Sequence, residues 1–253
     1  MIEAKPAHFL QEGDCAFVYR EKSSPRTSNL KLLTCGTYDF TGPVVTGDLC
    51  HAREETLLFG LEGNLTVHLE GETFSLGHYD TLYVPLGSAY HFEHSGDAGR
   101  VVVFRARAEK KHPLFHSTWS AFSKDESRIR HLKGKDVFLM FDVSEPADRL
   151  IAGFTLFQPN QRSYPPHNHT DQEEIYFFTR GRGSMEVYAD EETKTFVRSV
   201  ETGDAVTIPL MNYHPVFSQE EELHFIWCIA GERYWVGDKN KDFMSGKVEK
   251  LTT

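Results

Sequence analysis

Cysteine is scarce in this chain and placed without pattern. Cys15, Cys35, Cys50 and Cys228 show no paired spacing, which argues against a disulfide framework and a zinc-knuckle signature, so reduced, mostly buried thiols are expected. Long apolar runs are missing as well. No stretch nears the length that spans a bilayer, and Met1-Ile2-Glu3-Ala4-Lys5-Pro6 lacks the apolar segment of a signal peptide. A cytoplasmic protein with no membrane partner is the expectation. Basic charge is in deficit too. With 27 Lys and Arg against 37 Asp and Glu, the net charge of −10 argues against a nucleic-acid surface and leaves specific arginines to attract any small anion.

What the chain does contain is short apolar segments punctuated by Gly, Pro, Asp and Asn, the pattern of many antiparallel strands. Its 253 residues suffice for one large domain or two of ordinary size. The clearest strand candidates in the first half are Leu30 to Leu33, Thr56 to Phe59, Leu65 to Leu69, Thr81 to Val84 and Val101 to Phe104. In the second half they are Val137 to Val143, Leu150 to Phe157, Glu174 to Thr179, Ser184 to Tyr188, Thr195 to Val200, Ala205 to Ile208 and Leu223 to Ala230. Asp190-Glu191-Glu192 reads as a solvated hairpin tip. Between the halves, residues 111–136 hold neither period-two alternation nor an amphipathic helix, so we take them as a surface connection between a domain at 1–110 and another at 137–253.

The halves echo each other. Glu55-Thr56-Leu57-Leu58-Phe59-Gly60-Leu61-Glu62-Gly63 parallels Glu173-Glu174-Ile175-Tyr176-Phe177-Phe178-Thr179-Arg180-Gly181, and Asp80 to Pro85 parallels Asp204 to Pro209. A duplicated β unit of roughly a hundred residues follows.

Chemistry concentrates in the second copy. His167 and His169 sit one residue apart on an extended segment and so point the same way; Glu174 follows five positions later, and His214 arrives from a later strand after Pro209. Three imidazoles and a carboxylate outline a metal site. The donor types suit Zn, Mn, Fe, Co or Ni without choosing among them. In the first copy Leu49, His51 and Thr56 stand at the corresponding places, and His91 lies one position from the place of His214. No second metal is expected there, although a shifted site using Glu55 is left open.

These paired motifs resemble the signature of the cupin superfamily, which implies an all-β protein of two tandem double-stranded β-helix (jelly-roll) barrels, the first with a degenerate metal site. Finer matches, Ser163-Tyr164-Pro165-Pro166-His167-Asn168-His169, Glu173-Glu174-Ile175-Tyr176, Val187-Tyr188, Tyr213-His214-Pro215-Val216 and Ala230-Gly231 with Arg233, resemble the family of 5-deoxy-glucuronate isomerase and 5-keto-4-deoxyuronate isomerase. The resemblance implies a metal-dependent aldose-ketose isomerase of an anionic deoxy sugar acid, with His167, His169, Glu174 and His214 as ligands. By fold analogy a homo-oligomer is expected. The sequence departs from the 5-deoxy-glucuronate enzymes at the short Thr170-Asp171-Gln172 link, at Arg180-Gly181-Arg182-Gly183 and at Trp227. Another acidic hexose, such as a sulfo-sugar, is therefore an alternative substrate; an iron-dependent oxygenase and a non-enzymatic sugar-binding bicupin are alternative classes.

Proton transfer between adjacent carbons needs an acid-base group. Tyr176 shares the Glu174 face by period two, and Glu186 with Tyr188 shares a face of the next strand, so Tyr176 and Glu186 are the catalytic candidates. An arginine fork matches an acidic terminus. Arg162 and Arg233 are the preferred clamp among Arg162, Arg180, Arg182 and Arg233, and Arg182 and Tyr188 complete the candidate substrate contacts.

Overall fold

The computed structural model describes residues 16–163, 166–190 and 192–234. Cys15, Tyr164, Pro165 and Glu191 of the sequence reading lie outside the described residues. Two six-stranded antiparallel sheets stand back to back, each faced by a smaller sheet. The first large sheet runs Phe17–Ser23, Leu33–Phe40, Gly99–Arg107, Glu54–Glu62, Thr81–Val84, Phe115–Ser117. The second runs Ile129–Leu132, Lys135–Phe141, Leu150–Phe157, Leu223–Gly231, Gln172–Arg180, Ala205–Ile208. The run Leu33–Phe40, Gly99–Arg107, Glu54–Glu62, Thr81–Val84 of the first sheet and the run Leu150–Phe157, Leu223–Gly231, Gln172–Arg180, Ala205–Ile208 of the second follow one order, so the duplication read from sequence recurs in the topology. Among the described residues no helix is long and apolar enough to cross a membrane.

Period two explains why the large sheets read as nearly unbroken apolar runs. In the first barrel Tyr38, Leu58, Val101 and Val103 point inward. Their neighbours Leu57, Phe59, Val102 and Phe104 point backward and meet Phe154, Ile175, Phe177 and Ile226 of the second half. On the far side Tyr176, Phe178, Phe225 and Ile229 fill the second barrel. Both large sheets are thus buried on both faces, the condition that removes hydrophobic alternation. Each such side chain contributes about 1.5–3 kcal/mol by leaving water.

Two carboxylates fasten the seam. Glu55 accepts from the backbone N–H groups of Asp148 (2.9 Å), Arg149 (2.8 Å) and Leu150 (2.9 Å) and from the Tyr83 hydroxyl (2.8 Å). Its counterpart Glu173 accepts from Lys31 (2.8 Å), Leu32 (2.5 Å) and Leu33 (2.6 Å). Each half therefore caps the N–H groups that lead into a strand of the other. The shifted metal site through Glu55 is overturned by this placement: its side chain shares the backward face with Leu57 and Phe59, away from the barrel. The same contact shortens an expected strand. Leu30 to Leu32 give their amides to Glu173 or to the turn before it, and the strand begins only at Leu33.

Residues 111–136 carry more structure than a bare connection. Phe115–Ser117 pairs with Thr81–Val84, Trp119–Phe122 makes one helical turn, and Ile129–Leu132 forms a hairpin with Lys135–Phe141. Pieces of three or four residues are too short to show a period in sequence. The glycines that align the two halves are required by backbone geometry: Gly63 has φ 72° and Gly181 φ 84°, and a Cβ at Gly181 would lie 2.0 Å from the Glu222 carbonyl oxygen.

Candidate metal centre

His167 and His169 approach on the extended segment before the strand Gln172–Arg180, Glu174 is that strand's third residue, and His214 follows the turn after Ala205–Ile208. One ligand atom from each lies within 4.8 Å of the others. His169, Glu174 and His214 are buried and His167 is half-buried.

Neighbouring acceptors fix the orientation of two imidazoles. The Gln172 amide donates to the carbonyls of Glu232 and Tyr234, so its Oε1 faces His169, whose Nδ1 donates to it at 3.0 Å. His214 Nδ1 donates to the Asn212 carbonyl at 2.9 Å. With their protons committed there, both Nε2 atoms face the same carboxylate oxygen, Glu174 Oε2, at 3.2 Å from His169 and 3.1 Å from His214. His214 Nε2 is buried and makes no hydrogen bond. Burial, then the charges of His214, His169 and Lys135, push His167 well below its ordinary value. Burial acts to raise Glu174, and positive charge on the Nε2 side, whether protons on His169 and His214 or a cation in their place, lowers the carboxyl. Lone pairs and negative charge converge on one point, and the donor set fits a divalent cation. Gln172 and the Asn212 carbonyl escaped the sequence reading because an amide and a backbone oxygen beside a histidine have no signature of their own.

Tyr176 stands next to the centre. Its ring stacks on Phe225 at 4.4 Å and meets His214 edge-on at 5.6 Å. Burial and then Glu174 raise its hydroxyl well above the usual range, so it keeps its proton.

The other expected residues go elsewhere. Met185 and Val187 point into the barrel, so strand parity sends Glu186 and Tyr188 to the outer face. There the Tyr188 hydroxyl and Lys194 (2.8 Å) bind the Glu186 carboxylate, which satisfies the half-buried charge without a catalytic role. Arg162 is exposed and lies over the Phe217 ring at 4.9 Å. Arg182 is 72% exposed beside Glu201. Arg233 donates to the carbonyls of Leu150 (3.0 Å) and Asp142 (2.5 Å) and covers the Phe141 ring, on the seam side of the sheet. None of the expected arginines joins the cluster.

The first barrel has filled the same place differently. Arg105 pairs across the sheet with Thr56, the counterpart of Glu174. Its guanidinium donates to His51 Nδ1 (2.9 Å), Glu54 (3.1 Å) and the Tyr19 hydroxyl (3.0 Å). Leu49 is buried in the apolar core, Tyr90 occupies the place of His214, and His91 lies half-buried beside Asp48. Burial, then the Arg105 charge, push His51 down to about 3. A covalent cation thus sits where the second barrel gathers ligands, and among the described residues only that second cluster has a metal-binding arrangement.

Two sheet-lined barrels in tandem, one of them gathering three imidazoles and a carboxylate inside its wall, define a bicupin. The chain belongs to the KduI/IolB family, whose signature matches residues 21–245. It is 23% identical over 209 residues to the 4-deoxy-L-threo-5-hexosulose-uronate ketol-isomerase of Bacillus pumilus, covering 76% of this chain and 72% of that one. With the enzyme of the same name from Cereibacter sphaeroides it shares 25% over 200 residues, 77% of this chain and 72% of the relative. An IolB-like protein from Salmonella typhimurium superposes with a TM-score of 0.74 at 17% identity, over 88% of this chain and 92% of the other. Oxalate decarboxylase from Bacillus subtilis gives 0.70 at 13%, over 87% and 74%.

Proposed function

We propose that this protein is a metal-dependent aldose-ketose isomerase acting on an anionic deoxy sugar acid of the hexuronate type. Family membership and relatives named ketol-isomerases support the reaction class. The single observation that carries the metal requirement is the convergence of two imidazole Nε2 atoms on the ionised Glu174 oxygen, their other nitrogens already committed as donors. His167, His169, Glu174 and His214 would hold the ion. Three imidazoles and one carboxylate would leave a bound divalent cation net positive, and the chemistry it would supply is Lewis acidity toward a sugar oxygen on which charge builds as the proton moves between C1 and C2. Tyr176 keeps its proton beside His214 and offers it at Oη to the sugar oxygen, while Phe178 and Phe225 exclude water from the barrel wall. A cytoplasmic setting suits this reading, since Cys35 and Cys228 are free and buried.

The test is deuterium uptake at C2 of a 4-deoxy-5-keto uronate in D2O after reconstitution with each candidate metal. Exchange and ketol conversion that follow metal content are expected, and His169→Ala should lose metal and turnover together. Turnover retained in His169→Ala would refute the metal mechanism, and oxygen consumption with Fe(II) in place of exchange would make the protein an oxygenase. Tyr176→Phe should keep its metal while kcat falls about 10²–10⁴-fold.

A further inference from the structure

With the expected arginines engaged elsewhere, the second barrel still contains a cation. Lys135 opens the strand Lys135–Phe141, and Val137 and Leu139, two and four residues on, lie in the core of that barrel. Period two turns Lys135 to the same side. Its cross-strand neighbour Phe157 belongs to that core, and Lys135 Nζ lies 5.2 Å from the Phe157 ring centroid. Arg130 stands opposite Val137 in the adjoining hairpin strand and therefore leaves the sheet on the same face.

Among the described residues no carboxylate comes within ion-pair distance of Lys135. Its charge nevertheless acts on both Glu174 and His167. The first barrel offers a control within the same molecule: its buried cation, Arg105, has Glu54 at 3.1 Å and Tyr19 at 3.0 Å. Lys135 is half-buried, and a cation drawn part-way out of water is costly to keep without a counter-charge. Burial lowers Lys135 to about 8, with Glu174 opposing the shift, which leaves the amine mostly charged at neutral pH.

We propose that Lys135, with Arg130 beside it, forms the anion subsite of the second barrel and holds the acidic terminus of the sugar, while the His/Glu cluster takes the opposite end. The assignment rests on the isomerase reading of this barrel and adds to it the residues that select an acid over a neutral sugar. A single ammonium beside a guanidinium suits a monoanionic oxyacid, and carboxylate and sulfonate share that chemistry.

The experiment compares D-glucuronate, its neutral counterpart D-glucuronamide and a hexose 6-sulfonate as ligands of the metal-loaded full chain by calorimetry, with metal content measured on each sample. The wild-type protein should bind at least one of the two anions about ten-fold or more tighter than the amide, a charge-assisted contact, and the stronger of the two identifies the terminus. Lys135→Met should erase the preference with metal content unchanged, and Lys135→Arg should restore it in large part. Three results would overturn the subsite: a wild-type protein that favours neither anion over the amide, a Lys135→Met protein that keeps the preference, or one that loses its metal along with it. Deuterium exchange at C2 decides the isomerase reading separately and stands whatever this comparison yields.

Discussion

Thr56 and Glu174 occupy equivalent places in the two barrels, and their partners across the sheet are Arg105 and Ile229. Beside Ile229 a carboxylate is free to meet imidazoles; beside Arg105 a metal ion would face a fixed positive charge. His51 records that charge. Its pKa of about 3 in the folded protein lies below the ordinary 6.5 or so, so the unfolded chain takes up the proton first and stability is lost as pH falls through that interval. Between pH 7 and pH 5 the wild-type protein should lose about 2 kcal/mol more than His51→Gln. Urea unfolding at the two pH values measures this, and equal losses would mean that His51 is not held neutral. Spacing alone made the four ligand candidates legible in the sequence. Lys135 was not legible, because a lysine at the start of a strand looks the same whether its chain turns to solvent or into a barrel.

One strand, Gln172–Arg180, serves two sites through its two faces. Glu173 points to the seam and accepts three amides of the first half, while Glu174 points into the barrel. Glu173→Gln and Glu55→Gln should each lower stability by about 2–4 kcal/mol, since each replaces a charged acceptor of several buried N–H groups. Only Glu173→Gln should also weaken metal binding, by about ten-fold, because the seam contact sets the position of the adjacent ligand. Competition with a chelator reads the second effect, and equal metal affinity in the two variants would show that the faces are independent. The strand itself was easy to place from its apolar run. Its neighbour, expected from Ser184 to Tyr188, runs Arg182–Tyr188; that Glu186 and Tyr188 share a face was legible, but not which way that face points, since a half-polar strand at the side of a barrel offers no hydrophobic contrast to decide which set points inward. The inward set is Met185 and Val187.

At the scale of the whole molecule, three apolar layers follow one another: the first barrel's core, the seam and the second barrel's core. Two halves sharing a layer of that size should unfold together. Calorimetry should give one transition, and chelation should lower its midpoint as a whole, because a ligand of the folded state stabilises everything that unfolds with it. Two transitions, with only one moved by chelation, would mean that the barrels are independent. The duplication and the loss of ligands in one copy were visible in sequence. The seam was not, because back-facing and inward-facing residues of a doubly buried sheet are equally apolar.

The exchange of carboxylates across that seam also bears on how such a chain can change over generations. A gene duplication yields two interchangeable units only while each closes on itself. Once Glu55 and Glu173 cap strands in the opposite copy, neither half can be deleted, or swapped for a relative's, without carrying the matching amides along. The mouth of the first copy, where an arginine stands in place of a ligand cluster, is open to drift, whereas its back has become part of the machinery of its sibling.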